Sequence, residues 1–324
     1  MYPYQQLLEA AIRWQSPAEL PVSVSILPRV WLEHADTVMA LVDEFPDLLG
    51  QYRGITRFEE HPLQASYRAG SWTDEWGCVW TNVAGGLEGY VTGHPLHTAD
   101  DCRRVEMPAN RDGRIPHGFL YLRVLDLLGF ETAMELFIEE PDAIAALIET
   151  IVEHTLLQID VAAAQSGPIF YLGDDLGMQH GLALGAVRWR QFFAAAYARI
   201  FARVHAHGRL VYFHSDGRII DILDDLKAAG ADMVNPQFRA NGLADLVRVC
   251  RGRIPLHLDL DRQLLPVARP GEVARHVEEA TAALYLPEGG LGLSLELGPG
   301  IRPEIMHEAV AAVQRARSYR GDIG

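Results

Sequence analysis

From about residue 150 to the C-terminus, short apolar runs alternate with helical patterns, and each run ends in acids, amides, imidazoles or glycines. The clearest run is PIFYL at 168–172, followed by GDDLGMQHG at 173–181. A buried stretch rich in Ile, Phe and Leu that ends this way is how a parallel-sheet protein presents chemistry at the carboxyl edge of its strands. The pattern recurs at LVYF, 210–213, which runs into His214-Ser-Asp216-Gly217, and again at 233–235, 254–258 and 291–295. Helical periodicity over 143–164, 187–207, 219–229, 241–250, 271–284 and 303–317 separates the runs, with Pro141 as a start signal and Gly167, Gly208 and Gly230 as stops.

Strand-plus-helix units in a row imply parallel pairing through right-handed crossovers. Two upstream runs, 20–27 and 118–122, bring the strand count close to eight. The expected fold is therefore α/β, a single (β/α)8 TIM barrel over residues 1–324, with an irregular insertion at about 54–112 that is rich in Gly, Trp, His and Pro. No repeat, low-complexity segment or linker divides the chain.

Composition narrows the class of partner. The chain has 324 residues, 49% hydrophobic and 22% charged, enough to bury a large core. Its formal charge of −15, with no basic stripe, argues against nucleic acid. No apolar run approaches the length of a membrane span. The N-terminus MYPYQQ has neither a basic nor an apolar leader region, and the three cysteines Cys78, Cys102 and Cys250 form no CxxC pair. Both observations point to a reducing, cytoplasmic setting.

In a barrel, residues just past the strand ends form the active-site rim. Here they are Asp174, Asp175 and Gln179; His214 and Asp216; Asn235 and Gln237; His257, Asp259 and Asp261; and Glu296. Each has a plainer reading. An Asp at a strand end often caps the next helix, Asn235 before Pro236 suits a turn, and His257 inside a strand suits a satisfied core imidazole. His180, His205 and His207 suit a helix face or a helix C-terminus. The plainer readings do not account for so many acids, amides and imidazoles on one rim. His214 and Asp216, two apart after a buried strand, point to the same side and can reach one ion. Asp174 and Asp175, being adjacent, cannot both face the axis: one is expected there with a raised pKa, the other as a cap.

Six motifs, in order, resemble the uroporphyrinogen decarboxylase superfamily, which includes corrinoid-dependent methyltransferases. They are DEWGCVW at 74–80, GHPL at 93–96, GDDLGMQHG at 173–181, HSDG at 214–217, GADMVNPQ at 230–237 and LGPGIRP at 297–303. The resemblance implies the same barrel. Two departures speak against porphyrinogen decarboxylation. Of that enzyme's N-terminal arginine-rich motif only Arg29 is kept, and its Leu-Gly-His-Gly motif reads LGPG, with Pro299 in place of the histidine.

The methyltransferase branch holds zinc with His-x-Cys and a later residue, usually Cys. The resemblance implies His214 and Asp216 as metal ligands, with Glu296 as the nearest substitute for the later one. It implies a metal-dependent methyltransferase-like enzyme that moves a methyl group from an O- or N-methylated small molecule to a corrinoid protein. Asp174 and Asp175 are the expected catalytic carboxylates. Gln179, Trp76, Trp80, Tyr90, Asn235, Gln237 and Asp259 are the expected substrate contacts, although the aromatics equally suit the insertion's own core. The alternatives are a decarboxylase of a porphyrinogen or other carboxylated substrate, and a non-catalytic small-molecule sensor on the same barrel, which turnover against bound ligand would separate.

Overall fold

The computed structural model describes residues 3–55, 67–164 and 167–321. Nine strands occur among them: β1 (Val22–Ile26), β2 (Gly70–Thr73), β3 (Val79–Asn82), β4 (Tyr90–Gly93), β5 (Ile169–Gly173), β6 (Leu210–Ser215), β7 (Met233–Pro236), β8 (Leu256–Asp259) and β9 (Leu291–Leu297). The chain forms two compact units, one of residues 1–70, 82–89 and 236–324, the other of residues 71–81 and 90–235.

In the first unit β1, β9 and β8 pair in parallel in that order, Val22 opposite Leu293 and Leu256 opposite Leu291. Burial is continuous along β8 and nearly so along β9, as expected of strands covered on both faces, while β1 alternates buried and half-buried positions. The helices Pro28–Glu44, Glu272–Leu284 and Pro303–Ala316 belong to the same unit, each turning an apolar stripe inward.

In the second unit the strand order is β7-β6-β5, with Ile169 opposite Leu210 and Gly173 opposite His214. Behind β6 lies an aromatic core of Trp189, Phe193, Tyr197, Phe201 and Phe213, all fully buried. The helix expected over 187–207 is present, but Arg190–Ala194 within it is a π-helical turn. Beside that turn Trp189 stacks on Tyr197 at 5.7 Å, and Tyr197 meets Phe213 edge-on at 5.5 Å.

Two expectations are corrected. The parallel strands among the described residues are six, not eight. Residues 118–122 are not a strand: Gly118 turns with φ +74° and the helix Tyr121–Leu128 begins directly after it. A five-residue apolar run fits either state by pattern, and the deciding partner lies elsewhere in the sequence. Part of the expected insertion, 56–66, falls outside the described residues. The remainder carries the antiparallel sheet β2-β3-β4 and the short helix Ala99–Arg104, started by a capping box between Thr98 and Asp101. No helix among the described residues is long and apolar enough to cross a membrane.

The loops after β5 and β6 touch backbone to backbone. Gly177 donates to the Asp216 carbonyl (3.2 Å), and Arg218 donates to that of Met178 (2.8 Å). A Cβ on Gly217, at φ +77°, would overlap the Gly177 carbonyl, and one on Gly177 would overlap the Arg218 amide. Gly217→Ala is therefore expected to destabilise the protein by about 2–3 kcal/mol, from left-handed strain plus a contact with backbone that cannot rotate away. Urea denaturation checks this; an unchanged midpoint would contradict the close approach.

Candidate metal centre

Asp174 and Asp175 leave the end of β5 in opposite directions. The Asp174 carboxylate is fully buried and accepts four hydrogen bonds: from the amides of Leu120 (3.2 Å), Tyr121 (2.6 Å) and Leu122 (3.0 Å), and from the Tyr197 hydroxyl (2.6 Å). It caps the helix Tyr121–Leu128, whose own N-cap residue, Leu120, offers no side-chain bond. Burial pushes its pKa up, against the donors that pull it down.

Asp175 turns the other way. Its Oδ2 lies 3.0 Å from His117 Nε2, and its Oδ1 accepts the Asp216 amide at 2.9 Å. Burial works against its charge, but the hydrogen bond and charge of His117 and the Asp216 amide hold its pKa below the usual carboxylate value. The division of labour between the adjacent acids is thus real, with one sign reversed: the carboxyl with the raised pKa is the buried cap, and the one beside the imidazoles is an anion.

His214, near the end of β6, completes the group. Its Nδ1 is 2.6 Å from Asn235 Oδ1, which fixes Nδ1 as the protonated nitrogen. Its Nε2 then faces Asp216 Oδ1 at 3.2 Å and Asp175 Oδ1 at 3.9 Å. Burial alone would lower this imidazole's pKa, yet Asp216, Asp175 and Asn235 together carry it up to about 9. His117, its ring centroid 5.6 Å from that of His214, is also raised, because Asp175 outweighs the effect of burial.

Ligand atoms of Asp175, His214 and Asp216 all lie within 4.8 Å of one another. A tetrahedral ion with bonds of about 2.0–2.1 Å sets its donors about 3.3 Å apart. His214 Nε2 and Asp216 Oδ1 already have that spacing at 3.2 Å, and Asp175 Oδ1, 3.9 Å from His214 Nε2, would move inward to join them. One imidazole nitrogen and two carboxylate oxygens suit zinc or a harder divalent ion, and the Asn235 bond is the outer support that metal-bound imidazoles usually have.

The remaining expected site residues are defined by their neighbours within their own unit. Glu296 accepts from Arg262 at 2.7 Å, and Arg262 also pairs with Asp259 at 3.0 Å; Glu296 therefore serves an ion pair, and Asp175 supplies the third candidate ligand. Gln237 forms an isolated parallel bridge to Asp259. Gln179 is exposed. Trp80 donates its indole N–H to Asp74 at 3.0 Å and stacks on Trp72, so it belongs to the insertion's own packing. Tyr90 is exposed on β4, and Trp76 packs against His154 at 5.1 Å. His117 is absent from the expected site because the apolar pattern places a strand start at the next residue, Gly118. Its signal is Pro116-His117-Gly118, an imidazole held in a turn.

The sequence profile of the uroporphyrinogen decarboxylase (URO-D) family matches residues 124–319. The chain belongs to that family. A solved methyltransferase from Methanosarcina mazei superposes with a TM-score of 0.70 at 15% identity, covering 97% of this chain and 99% of that one. That likeness shows the fold: an α/β, URO-D-type TIM fold with an added antiparallel sheet. No curated protein matches the sequence.

Asp174→Ala leaves three buried amides and a hydroxyl unpaired and should cost at least about 3 kcal/mol, whereas Asp175→Asn should stay within about 1 kcal/mol of wild type. Similar unfolding midpoints for the two variants would contradict the separate roles. For His214 in the metal-free protein, the folded pKa lies above the ordinary 6.5, so its ion pairs contribute stability fully below about pH 6.5 and lose it as pH rises through about 9. An NMR titration should find one imidazole titrating near 9, absent in His214→Gln.

Proposed function

We propose that this URO-D family member is a metal-dependent methyltransferase-like enzyme, with Asp175, His214 and Asp216 holding one divalent ion, zinc by donor preference. The substrate is an O- or N-methylated small molecule, and the methyl acceptor is a corrinoid on a partner protein. One observation carries the reading: His214 presents Nε2 to two carboxylate oxygens while Asn235 ties its other nitrogen. The family and the fold shared with a methyltransferase support it.

Asp175, His214 and Asp216 would hold the ion, which when bound would supply Lewis acidity to an ether oxygen or amine of the substrate. The chain's residues do the rest. Asn235 keeps the His214 proton on Nδ1, the Asp216 amide orients Asp175 Oδ1, and Asp174 anchors the strand end from which Asp175 projects. Histidine with two carboxylates is a harder donor set than one with thiolates, which favours polarising oxygen over stabilising a thiolate.

Decarboxylation is the second reading, and it rests on the same two imidazoles: His117 and His214 both have raised pKa values and can carry protons toward a carboxylated substrate. Uroporphyrinogen itself is a poor fit. Arg29 is engaged by Glu33 at 2.8 Å and by the Gly85 carbonyl at 3.4 Å, and carboxylates desolvated without compensating charge cost several kcal/mol each.

Calorimetric titration with zinc separates the readings. Binding of about one ion per chain is expected. Affinity should rise about tenfold per pH unit below about pH 9, since the ion displaces the proton from His214 Nε2. His214→Ala should abolish binding. No zinc binding by the wild type at pH 8, or coproporphyrinogen formed from uroporphyrinogen, would transfer support to decarboxylation.

A further inference from the structure

We infer that His117 is a positioning residue that holds Asp175 as a one-oxygen ligand, an inference that rests on the metal reading above. The two oxygens of Asp175 are divided between different tasks. Oδ2 faces His117 Nε2 at 3.0 Å, while Oδ1 takes the Asp216 amide and faces His214 Nε2. With Oδ2 engaged, only Oδ1 is turned toward the other two ligand atoms.

His117 can do this because its own segment is clamped to the end of β5. The Gly118 amide donates to the Gly173 carbonyl at 2.8 Å, and the amides of Leu120, Tyr121 and Leu122 donate to Asp174. The close passage of the ring requires Gly173 to be glycine, since a Cβ there would stand 2.5 Å from His117 Nδ1. Residues 117–122 thus hold 173–175 by five hydrogen bonds, of which only the His117 bond reaches a candidate ligand. A carboxylate fixed from outside by an imidazole costs less to order around an ion than a free one. Losing such an outer partner typically weakens metal binding by about 10–100-fold.

The test titrates full-length protein with Co2+, comparing wild type with His117→Ala, His117→Asn and His117→Gln, each confirmed folded by circular dichroism. Glutamine places its amide N–H near the position of Nε2, and asparagine falls short of it. The Ala and Asn variants should bind about 10–100-fold more weakly at unchanged stoichiometry, and Gln should recover most of the affinity. Visible absorption of the bound cobalt should weaken in Ala and Asn, because the freed Asp175 can offer both oxygens and raise the coordination number. Equal affinity and equal spectra in all four proteins would overturn the inference and leave the metal reading standing. Gln as weak as Asn would overturn it too. Absence of Co2+ binding by wild type would overturn both, and the wild-type titration alone reports that case.

Discussion

The buried carboxylate of Asp174 is the interaction on which the second unit's chemistry depends. An anion without solvent is costly, by several kcal/mol even after relaxation. Here four donors converge on it, each charge-assisted bond contributing about 1.5–3 kcal/mol, and the N-terminal end of a helix adds its partial positive charge. Together the four offset part of the desolvation, and what they leave uncompensated appears as the raised pKa of the Asp174 carboxyl. Tyr197 belongs to the aromatic core behind β6, and residues 120–122 open a helix more than fifty positions upstream in sequence. One side chain therefore joins strand end, helix start and core, and the residue after it emerges with its direction settled.

That settled direction is why the site is preorganised. Asp175 cannot swing without disturbing Asp174, and the β6 loop cannot move without breaking the glycine contact between Gly177 and Gly217. Leu176 further donates to the Ser215 hydroxyl at 3.0 Å, so the two loops are also joined at the residue between His214 and Asp216. The glycines serve approach rather than flexibility: backbone reaches backbone where any side chain would intervene.

Much of this was legible in the chain. The strands at 168–172 and 210–213 follow from apolar runs bounded by helix stop signals, and the pairing of His214 with Asp216 follows from alternation along a strand. The roles of Asp174 and Asp175 were not, because which of two neighbouring carboxylates turns inward depends on amides from residues 120–122, and no local pattern announces them. The same blind spot produced the false strand at 118–122: its residues 118–121 are buried as expected and Leu122 is half-buried, but around a helix start. Glu296 illustrates the converse limit. Its residue type and strand-end position suited a ligand, but Arg262, on a neighbouring loop, supplies the counter-charge that engages it.

The charge balance of the His214 group bears on what can bind there. Without an ion, two carboxylates share two imidazoles, and each imidazole holds its proton more firmly than free histidine does. The protons stand in for missing positive charge. A divalent cation would satisfy the same two carboxylates from one point and release the proton on His214 Nε2, while Asn235 would keep the other nitrogen's proton in place. The raised pKa of His214 and the fit of the site for a cation therefore have one physical cause, the negative potential that Asp175 and Asp216 focus on a single nitrogen.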